Sequence, residues 1–232
     1  IQGGVFQVGN HTIKDSHTGD RALTVSQVIQ KSSNVGVAKI ALGLDPKDIW
    51  QHYRAFGFGV RPDLPLPGVA SGRMLPADSL KPIEVATMAY GHGISTSLLQ
   101  LAHAYQTIAN DGVMLPLSLT RRDAPPPASE QRRLISSKTA QDVKAMMELV
   151  TQAGGTATRA AVAGYRTAGK TGTAHKLENG RYVDKYVASF VGYAPASQPR
   201  LVVAVMIDEP KVKSYYGGIV AAPVFSEIVG QV

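Results

Sequence analysis

A chain of 232 residues that is 44% hydrophobic and 18% charged holds enough apolar material for a packed core, which excludes a disordered or fibrous protein. The absence of cysteine excludes disulfides, thiol catalysis and cysteine-ligated zinc, and leaves the redox compartment open. The formal charge of +7 raises the question of an anionic partner, but the basic residues are scattered, so nucleic acid is not an expected partner.

In chain order, Gly4 to Lys14 reads as a short extended segment with turns, and Asp20 to Leu23 lead into TVSQVIQKSSNVGVAKIAL. Thr24 can cap a helix with the apolar face Val25, Val28 and Ile29, and a second apolar set (Val35, Val37, Ile40, Ala41) resumes after Asn34. The pattern predicts helix, polar interruption, helix. A further helix starts with Asp45 as cap and Pro46 in its first turn and stops at Gly57, with Trp50 and Tyr53 expected in the core. A proline- and glycine-rich excursion from Pro62 to Gly72 precedes the short helix KPIEVATMAYGHG. SLLQLAHAYQTIANDG then places Leu98, Leu101, Ala102, Tyr105, Ile108 and Ala109 at helical spacing.

After an extended piece from Val113 to Thr120, TRRD and EQRRL flank APPPAS and read as a solvated loop. An amphipathic helix carrying Val143, Met146, Met147 and Val150 follows. From Arg166 the residues favour strands: TAGKTGTAHKL runs to a hairpin turn at Asn179 and Gly180, then RYVDKYVASFVGYAP follows. Leu201 to Ile207 is apolar on both faces and is expected to be a central strand. YYGGIVAAPVFSEIVGQV opens with a glycine turn and ends in a helix. Helices first and an antiparallel meander second predict an α+β architecture. No apolar run is long enough to span a bilayer and IQGGVFQVGN has no signal-peptide profile, so the chain is expected to be soluble, with any membrane anchor outside it.

GYRTAGKT fits the P-loop pattern through Gly164, Gly169, Lys170 and Thr171, and Val205 to Glu209 resembles its acidic strand partner. The pattern works only with a strand before the loop and a helix after it, so that amides and the helix dipole converge on phosphates. GGTATRAAVA upstream and the Asn-Gly hairpin downstream comply poorly. In the overlapping KTGT, Lys170, Thr171 and Thr173 are expected to share one strand face as a charge and two hydroxyl donors, with Gly172 leaving room for a ligand or another backbone. In KSSNVG, Ser32 and Asn34 sit in a polar turn where a hydroxyl and an amide can handle protons and bind a substrate amide, or simply cap a helix.

Taken together, LTVSQVIQKSSNVGVAKIA, ATMAYGHGISTSLLQLAHAYQTIANDGV, KTGTAHK, GYAPASQPR and DEPKVKSYYGGIVAAPVF resemble a class B penicillin-binding protein of the cell-division type. The resemblance implies the α+β fold of the penicillin-binding protein and serine β-lactamase superfamily, with a helical lobe over about 20–160 and sheet strands plus a C-terminal helix over about 164–232. It implies a peptidoglycan D,D-transpeptidase that works through a serine acyl-enzyme; no cofactor is expected, and since none of the six histidines falls in a metal-ligand pattern such as HExxH, no metal is expected either. Ser32 would assist proton transfer, Asn34 would bind a substrate amide and Lys170 would supply positive potential. Thr171 and Thr173 would bind the terminal carboxylate, with the Thr173 amide in the oxyanion hole. Tyr215, Tyr216 and Gly217 would wall the cleft, and His92 stands in a glycine loop where relatives often carry tyrosine. The implied partners are a stem peptide ending in D-Ala-D-Ala, β-lactams, and division-complex membrane proteins including a glycan polymerase. The implied location is the periplasmic face of the bacterial inner membrane.

The family's Ser-x-x-Lys nucleophile motif does not occur: no serine here has a lysine three residues later. In the family that motif lies farther upstream of Ser-x-Asn than the 31 residues that precede Ser32. The expectation is a partial domain lacking the N-terminal strands and nucleophile helix and inactive alone; if the family's strand order holds, Leu201 to Ile207 loses its partner on one side and is left as an apolar edge, so the chain is expected to be aggregation-prone or completed by a second chain. The alternatives are a P-loop nucleotide hydrolase and a noncatalytic domain that binds peptidoglycan or protein.

Overall fold

The computed structural model describes residues 1–16, 22–211 and 214–232. Asp20 and Arg21 of the expected helix lead-in, and Val212 and Lys213 of DEPKVKSYYGG, lie outside the described residues.

The chain opens with a hairpin of β1 (Val5–Val8) and β2 (His11–Lys14). α1 (Val25–Lys31) begins at Thr24, whose hydroxyl accepts from the Gln27 amide while the Gln27 side chain accepts from the Thr24 amide. It ends at Ser32, whose φ of 56° is left-handed and costs a non-glycine residue roughly 1–2 kcal/mol. Ser33 then caps α2 (Asn34–Ala41), so the sequence's polar interruption is a break of two residues between two capped helices.

α3 (Pro46–Ala55) starts as predicted, with Asp45 accepting from the Lys47 amide and Pro46 in the first turn. Trp50 and Tyr53 are half-buried and not core residues. Their polar tips donate to backbone carbonyls of neighbouring segments, Trp50 Nε1 to Leu75 at 2.9 Å and Tyr53 OH to Met88 at 3.1 Å. α4 (Pro82–Met88) and α5 (Leu98–Ala109) follow. The expected extended piece shrinks to β3 (Val113–Met114), which pairs with β4 (Arg132–Arg133) inside what the sequence presents as a solvated loop. α6 (Ser137–Leu149) closes the helical part.

β5 (Ala168–Glu178), β6 (Arg181–Ala194) and β7 (Leu201–Asp208) form an antiparallel sheet in that order. Asn179 and Gly180, at φ 51° and 79°, make the turn between β5 and β6. The sheet has a packed layer on each face. On one face Phe190 and Val205 meet Phe225 and Val229 of α8 (Ala222–Gly230), with the Phe190 and Phe225 rings edge-on at 4.9 Å. On the other, Tyr193 and Ala168 pack with Met147 of α6 and, less buried, Tyr105 and Ile108 of α5. A third cluster seats the β1–β2 hairpin on α2 and α4 through Val8, Ile13, Val35 and Ala86.

Among the described residues β7 is an edge, which agrees with the expectation that Leu201 to Ile207 has lost a strand partner on one side, and β6 is the middle strand, buried on both faces from Phe190 to Ala194. The apolar character of Leu201 to Ile207 comes from helix cover on both faces, which is independent of strand order. The nucleotide reading fails, because Lys170 lies within β5, the element that follows is the strand β6 and not a helix, and β7 runs antiparallel to its neighbour. The YYGG segment likewise continues as helix: Tyr216 precedes α7 (Gly217–Val220), where a glycine turn is expected.

Candidate active site

The turn between α1 and α2 and the start of β5 converge. The Lys170 ammonium donates to Ser32 Oγ at 2.6 Å, a contact between residues 138 positions apart that joins the Ser-x-Asn turn to the Lys-Thr-Gly strand. It also donates to the Thr171 carbonyl at 3.2 Å and to Thr171 Oγ1 at 3.3 Å. Withdrawal from water lowers its pKa from 10.5 to about 8.

The expected single face for Lys170, Thr171 and Thr173 needs correction. Side chains alternate along a strand, so Thr171 and Thr173 share a face and Lys170 starts from the opposite one. β5 is an edge of the sheet among the described residues, and the long lysine stem brings the ammonium back within reach of the Thr171 hydroxyl. Gly172 serves another backbone and a neighbouring side chain: a Cβ there would meet Ser189 Oγ, and a Cβ at Gly217 would lie 2.6 Å from the Gly172 carbonyl. Gly217 thus lies flat against the sheet, and its amide donates to Thr173 Oγ1 at 3.1 Å. Asn34 Nδ2 donates to the Lys14 carbonyl at 3.1 Å.

The aromatic residues form two groups. Tyr215 stacks on Tyr186 at 3.8 Å and 8°, with Tyr216 and His175 on either side of that pair at 4.7 and 4.4 Å. His92, in the loop after α4, lies 5.3 Å from Tyr90 and from Tyr182 of β6. Burial, and secondly the nearby His175, lower the His92 pKa. The structure therefore groups Ser32 with Lys170 and Thr171, and Thr173 with Gly217 and Gly172, while His92 and the Tyr215–Tyr216 pair occupy separate aromatic contacts. A hollow of about 250 Å³ shares Tyr186 and Tyr215 but is lined by neither Ser32 nor Lys170.

Three participants have no motif of their own. Thr156 Oγ1 lies 3.0 Å from Thr171 Oγ1, from within a stretch that reads only as small and interrupted. Tyr186 is one strand-forming residue among several until its stack with Tyr215 is seen. Asp15 accepts from Ser33 Oγ at 2.6 Å and from the Val35 amide at 2.9 Å. Among the described residues no three His, Asp or Glu side chains group as a metal site, and no helix is long and apolar enough to cross a membrane.

Residues 1–230 match the penicillin-binding protein transpeptidase domain. The chain is 44% identical over 225 residues to the "Probable peptidoglycan D,D-transpeptidase PenA" of Neisseria flavescens, covering 97% of this chain and 55% of that protein. It is 42% identical over 228 residues to the peptidoglycan D,D-transpeptidase FtsI of Escherichia coli K12, covering 98% and 38% respectively. It superposes with a TM-score of 0.92 and 46% identity on the apo TP domain of Burkholderia pseudomallei penicillin-binding protein 3, covering 98% of this chain and 69% of that one. The chain thus spans about half or less of the length of these curated relatives.

Proposed function

The chain belongs to the penicillin-binding protein transpeptidase domain family, and from that premise we propose that its parent protein is a peptidoglycan D,D-transpeptidase that cross-links stem peptides during septal wall synthesis. The observation that carries the reading is the Lys170–Ser32 hydrogen bond, which brings the two motif elements into one site. The proposed nucleophile is a serine in a segment outside these residues, since no Ser-x-x-Lys occurs within them.

In this reading the serine oxygen bonds to the penultimate D-Ala carbonyl carbon and the carbonyl becomes an oxyanion, for which the Thr173 amide is one donor. Collapse breaks the peptide C–N bond, and the serine proton passes by way of Ser32 to the departing D-Ala amine. An amine of a second stem then displaces the serine, which recovers its proton. Lys170 contributes positive charge beside Ser32, and the Thr171 and Thr173 hydroxyls receive the terminal carboxylate. Asn34 presents its amide to the stem peptide. Tyr215, Tyr216, Gly217 and His92 shape the walls. β-Lactams acylate the same serine. The parent works at the periplasmic face of the inner membrane, held by an anchor outside this chain, alongside a glycan polymerase of the division complex.

A fluorescent penicillin tests the reading. The full-length protein is expected to carry covalent label that survives denaturation, and Lys170→Ala is expected to slow labelling by about a hundredfold or more. A full-length protein that takes no label overturns the reading. The 232-residue chain alone is expected to remain unlabelled.

A further inference from the structure

Ser32 is a non-glycine residue at φ 56°, and such a conformation persists only where neighbouring structure over-determines it. Part of that determination is local: the Ser32 amide reaches back to the Ile29 carbonyl and the Ser33 amide to the Val28 carbonyl. The remainder comes from the end of β2. Asp15 accepts the Ser33 hydroxyl on one carboxylate oxygen at 2.6 Å and the Val35 amide on the other at 2.9 Å. The preceding carbonyl, Lys14, accepts from Asn34 Nδ2 at 3.1 Å. Two consecutive residues of the hairpin thereby hold Ser33, Asn34 and Val35.

Ser33 links Asp15 to the helix. It is 4% exposed, and while its hydroxyl donates to Asp15 its oxygen accepts from the Gly36 amide at 2.9 Å, so the hydroxyl is fixed in direction. Gly36 is required on that side, since a Cβ there would lie 3.0 Å from Ser33 Oγ and closer still to the packed Val28 side chain. The carboxylate therefore sets where α2 begins, and with it the orientation of Ser32 on one side and Asn34 on the other.

We propose that Asp15 is a positioning residue for the transpeptidase site, aligning Ser32 and Asn34 through Ser33 and the Val35 amide. The inference rests on the transpeptidase reading. Hydrogen-bond acceptance is the property that matters: asparagine keeps an acceptor oxygen for the Val35 amide but turns an NH2 group toward the Ser33 hydroxyl, whereas alanine leaves both the buried hydroxyl and the amide to find new partners.

The test measures acylation of the full-length protein by a fluorescent penicillin, separating the amplitude (the fraction of molecules that label) from the second-order rate constant of that fraction. Asp15→Ala is expected to keep its amplitude and lose between about tenfold and a hundredfold in rate constant, the scale of a small misplacement of catalytic groups. Asp15→Asn, which keeps one of the two acceptor oxygens, is expected to fall between Asp15→Ala and the parent. Should Asp15→Ala fail to fold, Ser33→Ala, which leaves the Asp15–Val35 bond in place, carries the same expected loss of rate with preserved amplitude. A reduced amplitude with an unchanged rate constant makes Asp15 a folding residue and overturns the inference. An Asn variant as slow as Ala overturns it as well. An unlabelled parent overturns the transpeptidase reading and this inference with it, whereas a labelled parent with an unimpaired Asp15→Ala overturns only the inference.

Discussion

Burial penalises the charged form of the Lys170 amine, which brings its pKa from 10.5 down to about 8, and the sign of the effect on stability follows from proton counting. Below about pH 8 the amine is protonated in both the folded and the unfolded chain, and the penalty is present in full. Between about 8 and 10.5 the unfolded chain holds a proton that the folded one has released, so stability rises with pH. Urea unfolding at several pH values should show that rise in the parent chain and a flatter profile in Lys170→Met. The same titration bears on activity. If the ammonium supplies positive charge beside Ser32, the penicillin acylation rate should fall as pH rises through about 8, and a rate that climbs steadily to pH 10 would contradict that role.

The elements that carry the site are anchored by groups whose partners lie far away in sequence. Gln100 sits in α5 at 2% exposure, and its side-chain nitrogen lies 2.8–2.9 Å from the carbonyls of Gly57, Val60 and Ser71. Gln100→Leu would leave these carbonyls and the amide of Ser97 without their partner, and should destabilise the chain by about 2–4 kcal/mol in denaturant titration. The helical spacing of α5 was plain from Tyr105, Ile108 and the rest of that stripe, yet Gln100, Ala104 and Thr107 are its most buried residues, because α5 is also held from the loop side. Apolar periodicity identifies a helix without saying which polar residue will find partners on another loop. Ser32, Lys170 and Thr173 stand out in the sequence as candidates because their spacing is local and belongs to motifs, and the structure brings the first two into contact. The contacts of Asp15 with Ser33 and Val35 are not visible in the sequence, because those partners stand 18 and 20 positions away and a lone acidic residue after a hairpin carries no pattern. The alternation of side chains was available in the sequence and already separates Lys170 from Thr171. What it could not supply is the return of the lysine stem at the sheet edge, which depends on strand order.

At the scale of the whole molecule, strand order decides what is exposed, and apolar pattern alone is a weak guide to it; the edge at Leu201 to Ile207 is expected only from the family's strand order. β6 and β7 are both rich in apolar residues, but only β6 is paired on both sides. β7 leaves one row of backbone groups without a strand partner among the described residues, beside the half-exposed Met206. An unpaired edge of eight residues with apolar faces is a template for pairing with another chain. The 232-residue chain by itself should therefore associate, with an apparent mass in sedimentation velocity that grows with concentration. Met206→Lys places a charge on that strand, where it opposes edge-to-edge pairing while the side chain keeps access to water. The variant should shift the distribution toward monomer with little change in unfolding midpoint. The contrast with Phe225→Ala separates edge pairing from general instability: that change empties the space beside Phe190, should cost about 3–5 kcal/mol, and should increase association by exposing the core. A chain that is monomeric at every concentration, with Met206→Lys indistinguishable from it, would show that the β7 edge is not a pairing surface.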